Sequence, residues 1–238
     1  MAKKARTPAP PRKIQAPQRR VDTRRRRTPE EKRTLYVSIA FAASGVAAIA
    51  IVAALFFVFG RNGGSNPKSV NTSQLIGLQT GPAPWNAGLD HLPDRMKPLG
   101  LNELGAEGQG VIEHIHMHLD LFVNGKKEPV PASIGIFNTA GGFLTDLHTH
   151  DATGIIHLES PKKRNFTLGQ FFGVWGVRLT SMCVGGYCKP QTPWHVSVNG
   201  KRVSGDPSKL VFVKHQEIAV VIGKPPANVP ATYSFGGL

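Results

Sequence analysis

From residue 113 to 123 apolar and polar side chains alternate without a break. Ile115, Met117, Leu119, Leu121 and Val123 fall on one side, and His114, His116, His118 and Asp120 on the other. A period of two is that of a β-strand with one face in a core. The run ends in Asn124-Gly125, a hairpin turn pair because both residues accept positive φ, and the same Val-Asn-Gly-Lys wording returns at 198–201. After Thr167 the period changes to that of a helix: Leu168, Phe171, Phe172 and Trp175 recur three and four apart before Gly176 stops them. Thr167 and Gln170 form a capping box at its start, which makes this aromatic stripe one side of a core. Further strands are expected at about 194–198, 210–213 and 217–222, giving an α+β fold with one core helix on an antiparallel or mixed sheet.

A different pattern occupies 35–59, where no charged residue occurs and nothing more polar than Ser38, Ser44 and Gly45 interrupts the run. A membrane-spanning helix needs about 20 such residues. A cleaved signal peptide has a shorter apolar region of about 7–15 residues and a small-residue cleavage site, whereas this run ends in Leu55, Phe56, Phe57, Val58 and Phe59. The reading is therefore an uncleaved single span. Residues 1–34 carry thirteen Lys and Arg against three acids, so +10 of the chain's net +14 precedes the span. Basic flanks stay inside, which puts the N-terminus in the cytoplasm and the remainder outside. The Pro-rich basic tail is expected to be disordered and drawn to anionic lipid; it lacks the interleaved aromatics of a nucleic-acid platform, so nucleic acid is not the expected partner.

The expected organisation is a tail at 1–34, a transmembrane helix at 35–59, a linker at 60–84, a His-rich β region at 85–160, a helix-plus-sheet region at 161–225 and a C-terminal tail at 226–238. Both cysteines, Cys183 and Cys188, lie on the outer side of the span. An oxidising compartment and the intervening Val-Gly-Gly-Tyr turn point to a disulfide, and the spacing is not the Cys-x-x-Cys of a redox centre.

The chemistry lies in histidine. Six of the nine fall between His114 and His157: His114, His116, His118, His148, His150 and His157. In a strand a His-x-His pair sends both rings to one face, where they can converge on an ion at about 2.0–2.1 Å. Asp151-Ala-Thr-Gly154 reads as a hairpin loop, and pairing His150 with Ile155 across it sets His148 opposite His157. If the strand of His116 and His118 packs alongside, four or five imidazoles share one cavity. Imidazole ligation without thiolate suits Zn(II) or Cu(II). Met117 points to the other face. Glu113, Asp120, Asp146, Asp151 and Glu159 are expected as partners orienting ring N–H groups, and His91, His195 and His215 stand apart.

Three phrases carry a resemblance: 113–120 (EHIHMHLD), 147–157 (LHTHDATGIIH) and 166–172 (FTLGQFF). Over about 85–225 the chain resembles an uncharacterised family of membrane-anchored extracytoplasmic proteins of bacteria and archaea. That resemblance implies location and brings no activity. By strand pattern the C-terminal half also resembles the β-grasp domain at the end of transcobalamin. The function these readings favour is an extracytoplasmic metal-binding protein that stores or delivers Cu(II) or Zn(II), or serves as an accessory subunit of a membrane protein complex. Two alternatives stay open: a metalloenzyme with a vacant coordination position, and an envelope module whose histidines respond to pH without metal.

Overall fold

The structure, a computed structural model, describes residues 72–105, 110–138 and 142–238. The basic tail, the apolar run at 35–59 and the linker as far as 71 lie outside these residues. Among the described residues no helix is long and apolar enough to cross a membrane.

The described chain is α+β and mostly sheet. Strands β1 (Glu103–Leu104), β2 (Glu113–Val123), β3 (Lys126–Glu128), β4 (Ile136–Phe137), β5 (Phe143–Thr145), β6 (Leu147–His148) and β7 (Ile155–Ser160) precede β8 (Cys183–Val184), β9 (Tyr187–Cys188), β10 (Trp194–Val198), β11 (Lys201–Arg202) and β12 (Glu217–Ile222). The helices are α1 (Leu92–Leu99) and α2 (Leu168–Trp175). A mixed sheet runs β11-β10-β12-β2-β7-β6, with β3 folded back on β2. β2 and β12 pair in parallel and the other neighbours are antiparallel. The regions 85–160 and 161–225 therefore share one sheet, joined at β2 and β12.

Local chemistry explains most of these elements. Asn124 (φ 52°) with Gly125 (φ 84°), and Asn199 (φ 49°) with Gly200 (φ 74°), turn β2 into β3 and β10 into β11 with both central residues at positive φ. At the start of α2, Gln170 N–H donates to Thr167 Oγ1 (3.3 Å) while Thr167 N–H donates to Gln170 Oε1 (3.0 Å), and Gly176 closes the helix at φ 69°. Cys183 and Cys188 face each other across the β8–β9 hairpin and form a disulfide.

Two features depart from the pattern-based reading. The stretch 210–213 is not a strand: it makes one isolated bridge, Val211 to Thr167. Its partner is the short lead into α2, and once the backbone turns helical at Leu168 a ladder cannot continue. The second departure is α1, whose Pro93 and Pro98 break the helical signal. It packs on α2 at Gly173, where a Cβ would come within 2.4 Å of Leu99 Cδ2, so only glycine permits this approach. α1 also delivers Arg95, 1% exposed, whose Nε donates to Gly173 O (2.8 Å) and Nη2 to Val174 O (3.1 Å). A guanidinium thus satisfies the last carbonyls of α2 where the helix dipole favours a cation.

One core lies between α1, α2 and the Met117, Leu119, Leu121 face of the sheet, joined by Leu147, Ile156, Ile218 and Val220. The opposite face holds a small apolar group, Phe122, Ala219 and Val221, at one end, and the histidines at the other.

Candidate metal centre

The histidine face is built by register. In the β2–β7 pair His116 stands opposite His157 and His114 opposite Glu159; in the β6–β7 pair His148 stands opposite His157. Side chains that face each other across a ladder share a face, so His116, His157 and His148 form a row over three neighbouring strands. The strand alternation adds Glu159, two residues beyond His157, to the same face. The loop after β6 adds His150. That loop is pressed onto β2 at Gly154 (φ 91°), where Leu119 N–H donates to Gly154 O and a Cβ would stand 2.5 Å from Leu119 O.

The rings gather closely around His157. Its centroid is 4.5 Å from that of His116, 4.4 Å from His150 and 5.4 Å from His148, and His114 lies 4.7 Å from His116. His148 Nδ1 donates to Thr145 O (2.9 Å), which fixes the tautomer and leaves the Nε2 lone pair facing the cluster. His150 Nε2 is 3.2 Å from His148 Nε2. Two ligands of a tetrahedral ion with bonds of about 2.0–2.1 Å stand about 3.3 Å apart, so this pair is spaced to share an ion or, without one, a proton.

Electrostatics favour the neutral, ligating state of these rings. Burial, and then the neighbouring imidazoles, push His157 down to about 3. Burial also lowers His148 to about 4, against the opposing hydrogen bond to Thr145 O, and lowers His116, with His114 adding to the effect. Glu159 is fully buried, and neither carboxylate oxygen accepts a hydrogen bond. His114 Nε2 at 3.4 Å and His148 Nε2 at 3.8 Å stand around its Oε1. His157 Nδ1 and both nitrogens of His116 are likewise buried without a hydrogen-bond partner. Ligand atoms of His148, His150, His157 and Glu159 lie within 4.8 Å of one another, as do those of His114, His116 and His157.

His118, expected in the same pocket, is placed elsewhere. Its Nδ1 donates to Glu217 Oε2 (2.7 Å), its Nε2 donates to Thr153 O (2.9 Å), and Tyr233 stacks on its ring at 3.7 Å. A ring donating from both nitrogens is doubly protonated and has no lone pair for an ion. The cause is topological: parallel pairing sets Glu217 of β12 beside His118. Burial pushes the Glu217 carboxyl above its usual range, against the hydrogen bond from His118. His118, Asp120 and Glu217 form a third compact group, with Lys127 Nζ 2.5 Å from Asp120 Oδ1.

The other carboxylates do not orient ring N–H groups of the cluster. Glu113 accepts from Arg164 N–H, Asp146 holds Asn102, and Asp151 accepts from Thr153 in the loop. Glu159 is the exception, placed as a candidate ligand. The signal was present in the sequence, since His157-x-Glu159 in a strand puts both side chains on one face. His91 lies beside Asp94, and exposed His215 stacks on Phe235 at 4.5 Å.

No family model, curated protein or solved structure matches the chain.

Proposed function

We propose that this chain is a membrane-anchored, extracytoplasmic metal-binding protein that holds Cu(II) or Zn(II) for storage, delivery or as the accessory subunit of a membrane complex. The observation that carries the reading is Glu159: a fully buried carboxylate without a hydrogen bond, ringed by imidazoles. An isolated buried charge costs several kcal/mol, and a divalent ion ligated by Glu159 and neighbouring rings offsets that cost while using their lone pairs. The donor set of imidazoles and one carboxylate suits Zn(II) or Cu(II) over Ca(II), which takes oxygen ligands, and over Cu(I), which prefers thiolate or thioether. Exposed His150 and half-exposed His114 put the rim of the cluster in contact with solvent, which favours exchange of the ion with a partner.

The location rests on the uncharged run at 35–59 and on the basic tail before it. The disulfide agrees with an oxidising compartment. On this reading the chain belongs with the membrane-anchored family that its His-rich phrases resemble. A β-grasp-like C-terminal half is part of the same reading, supported by helix α2 against a sheet whose β2 and β12 run parallel.

The test uses the full-length chain, purified in detergent without an affinity tag, loaded with Zn(II) or Cu(II) and dialysed. Stoichiometric metal in the wild type, lost in His157→Ala, is the expected result. A chain that folds and retains neither metal overturns the reading.

A further inference from the structure

The metal-binding reading leaves open how many ions the face takes, and the two ligand groups answer this. We propose that the face is a two-ion centre in which the His157 ring is shared, with one nitrogen directed to each ion. This inference rests on the metal-binding reading and adds to it.

The argument starts from distance. Donors of one tetrahedral ion stand about 3.3 Å apart and cannot exceed about 4.2 Å, twice the bond length. Among the described residues, the compact groups divide the rings in two: His148 and His150 with Glu159 on one side, His114 and His116 on the other, with His157 in both. The division follows from the sheet. His157 sits on β7, the middle strand, with β6 and its His148 on one flank and β2 and its His116 on the other. A single ion on either flank would leave the imidazoles of the other without a function.

Imidazole suits this central position because its two nitrogens point in different directions. With metal–nitrogen bonds of about 2.0–2.1 Å on either side of one ring, the ions lie roughly 6 Å apart. Both nitrogens can ligate only if the ring gives up its remaining proton, which passes to solvent when the second ion binds. The imidazolate formed and the Glu159 carboxylate then place two negative charges between two divalent ions. Glu159 already lies between the groups, its Oε1 near His114 Nε2 on one side and His148 Nε2 on the other.

The experiment loads the tag-free full-length chain in detergent with Cu(II) alone, then measures copper per chain and the integrated electron paramagnetic resonance intensity of the same sample at low temperature. Two copper ions per chain, with an intensity far below that of two independent spins, is the expected result, because a shared imidazolate pairs the spins. His114→Ala changes a residue at the solvent-exposed rim, so the fold is retained. It should bind one copper with the full intensity of one spin. One copper in the wild type overturns the two-ion inference and keeps the metal-binding reading, whereas no copper overturns both. Two copper ions with two full, independent spins, or two ions retained by His114→Ala, overturn the shared-ring arrangement.

Discussion

A carboxylate with no exposed surface and no hydrogen bond depends on whatever lies between it and its neighbours, and at Glu159 those neighbours are imidazoles. Replacing it with the isosteric amide separates two roles. In metal-free protein Glu159→Gln removes an uncompensated charge and raises stability by about 2 kcal/mol, a gain of about 4–8 °C in melting temperature. The same variant loses most of the rise that Zn(II) gives the wild type. Melting curves with and without Zn(II) check both, and a metal-free variant that melts below wild type contradicts the prediction. The buried histidines set a pH dependence of definite sign. In the unfolded chain His148 and His157 take up protons near 6.5, but in the fold they do so only at about 4 and about 3. The unfolded state binds more protons between those values, so the metal-free protein loses stability as pH falls from about 6.5 towards 4. Melting curves from pH 7 to 4 should show this slope, and His157→Gln should flatten it.

At the level of elements, short-range signals and distant packing contribute separately. Thr167→Ala removes the cap of α2 and should cost about 1 kcal/mol in denaturant unfolding. Arg95→Met should cost more, about 3 kcal/mol, because it leaves the Gly173 and Val174 carbonyls buried without a donor. The first effect could be read from the sequence and the second could not. Capping boxes, Asn-Gly turns and strand alternation act within a few residues, so β2, both hairpins, α2 and the pairing of His148 with His157 were legible in order of residues alone. α1 was hidden because Pro93 and Pro98 interrupt its periodicity. The fate of His118 was hidden because its partner Glu217 lies 99 residues away and reaches it through a strand pairing that no local pattern announces. Glu159 sat in plain alternation with His157, but its complete burial depends on packing outside that strand.

For the whole molecule, the candidate ligands lie close together in sequence while the sheet that carries them closes late. All five rings and Glu159 fall within 114–159, on β2, β6, β7 and one loop. The C-terminal segment instead covers His118 through Tyr233 and meets His215 through Phe235. Deleting 230–238 should therefore lower thermal stability by about 1–2 kcal/mol, from the lost aromatic contacts, and leave metal stoichiometry unchanged. Loss of metal on deletion would assign the tail to the centre. The position of β12 matters beyond the site, because the last strand to be made is an interior one, between β10 and β2. Until residues 217–222 have left the ribosome, β2 and β10 each present a bare edge of backbone donors and acceptors, an invitation to pair with another nascent copy. A premature stop anywhere before Glu217 yields two open half-sheets, so loss of only the final tenth of the chain should send the product to aggregates or proteolysis.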